Sequence, residues 1–126
     1  MSDPVHEAGM AVRRAVLGDP HVERTIEGTT AFTEPFQDLV TRFAWGSVWT
    51  RDGLDRRTRS CITLAVLTTL RAEDEIAMHV RAALRNGLAP DEIREALLHT
   101  AVYAGLPAAN LAFSIAQRVL EQDAAD

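Results

Sequence analysis

The sequence predicts an all-α protein, and three observations carry that prediction. Aromatic residues are only 6% of the 126 positions while alanine and leucine recur throughout, a balance suited to closely packed helices more than to a β-sandwich. Apolar side chains return at three- and four-residue spacing in one segment after another, and no run reads convincingly as a strand. Glycine, proline and aspartate fall where such segments would start and stop. With 47% hydrophobic and 25% charged residues, the chain fits one globular domain with a real core, which argues against disorder.

About seven helices follow from this pattern. Pro4 to Leu17 forms the first and Gly18 ends it; Asp19-Pro20 restarts a short second helix as N-cap and first residue, and Gly28 closes that one. Thr33-Glu34-Pro35 opens a third, in which Phe36, Leu39, Val40 and Phe43 mark one apolar face before Trp45-Gly46. Asp55 can cap the central helix, where Ile62, Ala65, Val66 and Thr69 fall at helical spacing. Glu73 to Asn86 continues with Ile76, Val80, Ala83 and Leu84 inward, and Asn86-Gly87 is a strong C-terminal stop. Pro90-Asp91-Glu92 starts another helix, lined by Ile93, Leu97, Thr100, Ala101 and Ala104 up to Gly105. Pro107 begins the last, with Leu111, Ile115, Val119 and Leu120 inward. There is no repeat or linker, so residues 1–126 read as one domain with an N-terminal helical extension over about 1–32.

Charge and targeting signals narrow the function. A net charge of −5 and a pI near 5.3 oppose a nucleic-acid binder. The N-terminus lacks a basic start followed by an apolar run, and no stretch approaches the ~20 apolar residues that span a bilayer, so a cytoplasmic protein with no membrane partner is expected. Cys61 is the single cysteine, which excludes an intrachain disulfide, a CxxC pair and a cysteine-rich zinc site. Beside Ile62 and Leu64 it reads as a buried, inert thiol.

Chemistry-bearing residues concentrate between Trp45 and His79. Arg51, Arg56, Arg57 and Arg59 sit at the start of the central helix, where the helix dipole is already positive, so something anionic is expected nearby. The plainer reading pairs them with Asp52 and Asp55 at the surface. Glu75 and His79 are four residues apart, hence neighbours on one helix face with Cβ atoms about 6 Å apart. A carboxylate there would raise the imidazole pKa and make His79 a proton donor, with Glu75 orienting one ring nitrogen. Such a pair is also common on solvated helix surfaces, but Ile76, Val80 and Ala83 place His79 at the edge of the buried face. No second histidine lies at metal-ligand spacing; His6 and His21 are scattered, and His99 shares a polar face with Glu92 and Glu95. No metal site is expected. The alanine-rich run HTAVYAGLPAANLAFSIAQ suggests smooth faces for subunit contacts, tight intrachain packing being the alternative.

Three runs together, WGSVWTRDGLDRRTRS, EDEIAMHVRAALRNG and DEIREALLHTAVYAGLPAAN, resemble the 4-carboxymuconolactone decarboxylases of the protocatechuate branch of aromatic catabolism, in the 3-oxoadipate pathway. The likeness extends over nearly the whole chain, including GMAVRRAVLGDPHV and AFTEPFQDLVTRFAWG. It implies the alkylhydroperoxidase D-like all-helical bundle and a homo-oligomer, with a hexamer favoured. Redox members of that wider family carry a CxxC followed by a histidine. Here His79 matches the histidine, while Ala72 and Glu75 stand at the cysteine positions, and Ser60 stands where the family has an acid. Asp52 and Cys61 depart from the proline and leucine common in the subgroup.

The resemblance implies loss of CO2 from 4-carboxymuconolactone, a dicarboxylate lactone, giving 3-oxoadipate enol-lactone without a cofactor, because the lactone carbonyl is the substrate's own electron sink. The protein then has to hold two carboxylates, stabilise charge on the lactone oxygen and deliver a proton to carbon. The candidates are Arg51, Arg57 or Arg59 for the carboxylates, Arg57 foremost, Ser60 or Tyr103 for the oxyanion, and His79 with Glu75 for the proton. Trp45 and Trp49 could wall the pocket. A redox enzyme of the alkylhydroperoxidase kind would need a second thiol. A non-catalytic helical oligomeric module would explain the apolar faces but not the arginines, Glu75 and His79 together.

Overall fold

The computed structural model describes residues 3–125, and every regular element among them is helical. The elements are α1 (Pro4–Leu17), α2 (Asp19–Gly28), α3 (Glu34–Val40), a π-helical stretch (Thr41–Val48) continuing from α3, α4 (Arg56–Leu70), α5 (Glu73–Arg85), α6 (Pro90–Ala104) and α7 (Leu106–Ala125). Most expected starts and stops hold; Asp19 is corrected from cap to first residue of α2, which Gly18 caps without a side-chain bond while the Asp19 carboxylate accepts from Arg14 Nη1 at 3.1 Å. Asp3 caps α1 by accepting from the His6 N–H at 3.2 Å, and proline occupies the first turn of α1, α2, α3 and α6, where its missing N–H is not needed. Gly18, Gly87 and Gly105 end their helices at φ of 89°, 96° and 100°, a left-handed backbone open to glycine.

The chain packs as two compact units that divide after Asp55. In the N-terminal unit, α1 lies against the π-helical stretch, and the contact is backbone to backbone. A Cβ on Gly9 would fall on the Thr41 carbonyl and 2.9 Å from the Gly46 nitrogen; one on Gly46 would stand 2.7 Å from the Val5 carbonyl oxygen. The wider winding of residues 41–48 shows in the bond from the Trp49 N–H to the Ala44 carbonyl, 3.0 Å across five residues. Arg13, buried in α1, ties the same elements together: Nη1 donates to Thr41 Oγ1 and Nη2 to Gln37 Oε1, both at 3.0 Å.

In the C-terminal unit, α4 to α7 form a four-helix bundle in which each helix meets the other three. Its core is built from Leu64, Ile76, Val80, Ala83, Ile93, Leu97, Ala112, Ile115 and Val119, with Leu88 closing it from the α5–α6 turn. Alanine at 112 and 116 is what lets α7 approach closely. At roughly 1.5–3 kcal/mol for each fully buried Leu, Ile or Val, this apolar set is the main stabilisation of the bundle. The inward faces expected for α5, α6 and α7 are the ones observed.

Two expected faces are corrected. On α4 the buried residues are Ser60, Leu64 and Thr68, with Cys61 and Leu67 half-buried beside them; Ile62 and Val66 are about half exposed and Thr69 is exposed. The helix is apolar on two sides, and three neighbours in the bundle select the one that includes Leu64. The Cys61 thiol is accordingly half-buried, where full burial was expected. On α3 and its continuation, Phe36, Leu39 and Phe43 are 61%, 56% and 64% exposed, so that apolar stripe faces outward and only Val40 is partly covered.

Candidate functional site

The residues singled out by the sequence fall into both units. In the N-terminal unit, Trp45 is buried within the π-helical stretch and Trp49 half-buried at its end, their rings 5.1 Å apart and tilted by 33°. Arg51 is exposed in the loop that follows, its N–H bonded to the Val48 carbonyl at 3.0 Å.

In the C-terminal unit the first turns of α4 meet the end of α5. Ser60 is completely buried, and its hydroxyl accepts a hydrogen bond from Asn86 Nδ2 at 2.8 Å. With its acceptor side taken, the serine has its own O–H left to donate. Arg59, one residue earlier, is half-buried. Arg57 projects from the first turn and donates to the Gly87 carbonyl and to the Glu92 carboxylate, fastening the α5–α6 turn to α4. Glu92 has a second task there, accepting the Ala89 N–H at 2.9 Å at the start of α6. Glu92 is thus one carboxylate that meets the arginine cluster, a partner 35 residues away that local sequence does not name.

Glu75 and His79 lie on one face of α5, one turn apart, in different environments. His79 is only 7% exposed, beside core residues Ile76 and Val80; Glu75 is exposed among the acidic residues of the helix's first turn. The imidazole is thus removed from bulk water and the carboxylate is not. Tyr103 lies in the last turn of α6, 81% exposed, its ring 5.4 Å from that of His99. Asn86 is the residue that sequence reading passed over. It was read only as a helix stop, and the signal that could have found it is that a side-chain amide just past a C-terminus can fold back onto a neighbouring helix.

Among the described residues no group of three or more His, Cys, Asp or Glu side chains is placed to hold a metal ion, and no helix is long and apolar enough to cross a membrane.

An all-α chain with an arginine-rich helix start, a buried serine and a buried histidine defines a class that comparison with known proteins identifies. Residues 34–118 match the carboxymuconolactone decarboxylase family, and the chain belongs to that family. It is 48% identical over 116 residues to the 4-carboxymuconolactone decarboxylase of Acinetobacter baylyi, covering 92% of this chain and 87% of that one. It is 44% identical over 114 residues, 90% of this chain and 80% of the other, to the nitrosuccinic acid decarboxylase of Metarhizium robertsii. A 4-carboxymuconolactone decarboxylase sequence from Pseudomonas putida is 54% identical over 41 residues, 32% of this chain and 85% of that one.

Proposed function

We propose that this chain is a carboxy-lyase that converts 4-carboxymuconolactone to 3-oxoadipate enol-lactone, acting in the cytoplasm as a homo-oligomer. The observation that carries the reading is the 48% identity over 92% of the chain with the Acinetobacter baylyi enzyme of that name. The C–C bond to the departing carboxylate breaks and CO2 leaves. The electron pair moves through the ring C=C bond onto the lactone carbonyl oxygen, and one proton then adds to the carbon α to that carbonyl. No external electron acceptor enters the balance.

Each step asks for one protein group. Arg59 and Arg51 hold carboxylates; Arg57 joins them by exchanging the Glu92 carboxylate for one of the substrate, a like-for-like swap of charge-assisted hydrogen bonds. Ser60 donates its O–H to the developing oxyanion, its orientation fixed by the bond received from Asn86. His79 delivers the proton from the edge of the buried face of α5, with the exposed Glu75 one turn away on the same helix. Trp45 and Trp49 supply apolar surface, and Tyr103 is a second hydroxyl candidate.

The test is direct. Freshly generated 4-carboxymuconolactone incubated with the purified protein should disappear with release of one CO2 per enol-lactone formed, without added metal or cofactor. A second reading, decarboxylation of nitrosuccinic acid, is favoured by the 44% identity to the Metarhizium robertsii protein. There the nitro group would take up the electron pair in place of the lactone carbonyl. Parallel assays with both acids decide between them: the substrate with the higher kcat/KM is the one this site is built for, and inertness toward both overturns the proposal.

A further inference from the structure

A cavity of about 280 Å³ lies wholly within the N-terminal unit, between α1, α2 and α3, and no step proposed above uses it. Its wall includes Arg13, which is only 7% exposed. A guanidinium so deeply placed is normally matched by a carboxylate, because a buried charge without a counter-charge loses its hydration and regains nothing. Arg13 has no such match. Its two recorded partners, Thr41 Oγ1 and Gln37 Oε1, are neutral, its Nε–H is buried with no acceptor, and it enters no ion pair among the described residues. Burial alone accordingly pushes its pKa down.

The rest of the wall specifies what could supply the missing charge. Met10, Val22 and Ile26 give the cavity an apolar side. Acidic residues also line it: Glu34 is exposed, and Asp38 is already engaged by Arg42 Nε at 2.8 Å and stands 3.9 Å from His6 Nε2. Those two carboxylates would repel a second negative charge. The Thr25 and Thr29 hydroxyls donate to backbone carbonyls, at 3.2 and 2.7 Å, and so offer an anion no proton. One cation, an apolar side and further carboxylates suit a ligand with one anionic group and a short hydrocarbon body.

We propose that this cavity binds a small monocarboxylate, its carboxylate on Arg13 and its chain along Met10, Val22 and Ile26. The Nη hydrogens not given to Thr41 and Gln37 make the contact, and binding brings a negative charge to the guanidinium, which the adjacent Nε–H senses.

The test follows the Arg13 Nε–H signal in 1H–15N spectra of the full-length protein during titration with acetate, butanoate, hexanoate, succinate and inorganic phosphate. The signal should move saturably with the monocarboxylates, with affinity rising at least tenfold from acetate to hexanoate, and succinate and phosphate should bind more weakly than butanoate. Arg13→Gln should abolish hexanoate binding measured by calorimetry, whereas His79→Ala should leave it unchanged. Should Arg13→Gln not fold, Ile26→Glu serves, since Ile26 is about half exposed and the new carboxylate faces the chain; it should weaken hexanoate at least tenfold. An Arg13 signal unmoved by millimolar hexanoate overturns the site. Equal response to phosphate and butanoate, or hexanoate binding retained in Ile26→Glu, overturns the assignment to a monocarboxylate.

Discussion

Asn86 Nδ2 donates a 2.8 Å hydrogen bond to the hydroxyl of fully buried Ser60, joining the end of α5 to the second turn of α4. Truncating the amide removes the partner of a group that water does not reach. Asn86→Ala should therefore lower stability by about 1–3 kcal/mol in urea unfolding. Asn86→Asp should lose less, because the serine O–H can turn and donate to the new carboxylate. If Ser60 serves the oxyanion, that turn takes its proton away, so Asn86→Asp should lower kcat more than Asn86→Ala does.

His79 and Glu75 should fail differently. His79→Ala should lower kcat by about a hundredfold or more, the range of a lost general acid, with little change in KM. Glu75→Gln keeps the shape and removes a nearby negative charge, so the alkaline limb of the pH–rate profile should move to lower pH as the imidazolium loses support. A folded His79→Ala protein with wild-type rate and pH profile would leave the proton to another group.

Gly9 should not tolerate a methyl group. The added carbon meets backbone atoms of Thr41 and Gly46, which cannot rotate aside, so Gly9→Ala should cost about 1–3 kcal/mol or more through displacement of α1. Gly28→Ala is the control: nothing lies within 4 Å of its added carbon, and its stability should stay within about 0.5 kcal/mol of the parent.

Arg71, between α4 and α5, holds a left-handed backbone with φ of 56° and no glycine to ease it. Arg71→Gly should raise stability by up to about 1 kcal/mol, the relief of strain being partly offset by the freer unfolded chain. Arg71→Val should lower it by about 1–2 kcal/mol. Thermal unfolding of the pair gives both signs in one comparison.

Asp3 carries a pH prediction. The hydrogen bond from Arg42, then that from the His6 N–H, hold its carboxyl below the ordinary aspartate value. A carboxyl whose folded pKa is depressed contributes stability above its unfolded pKa of about 3.9, and that contribution disappears as pH falls through the lower folded value. Asp3→Asn should flatten the acid limb of the stability profile below about pH 4, and NMR titration of the wild-type carboxyl should give a midpoint under the ordinary one.

The sequence by itself determined the helices, most of their ends and the residues inside three of the four bundle helices. Capping residues, first-turn prolines and glycines act through neighbours within about four positions, and α5, α6 and α7 each have one dominant apolar side. The family was legible too, from the run Trp45 to Ser60 and the position of His79. Tertiary structure decided what spacing leaves open. Periodicity says that Ile62 and Val66 share a side of α4 and that Leu64 and Thr68 share another, but only the neighbours in the bundle decide which side is inside. Likewise an arginine's charge is plain from its letter and its partner is not. Arg57 finds Glu92, 35 residues away, because the α5–α6 turn returns the chain to α4, and Arg13 is buried on the neutral partners Thr41 and Gln37 because α1, α3 and the π-helical stretch close around it. Such pairings depend on contacts remote in sequence, and local composition holds no record of them.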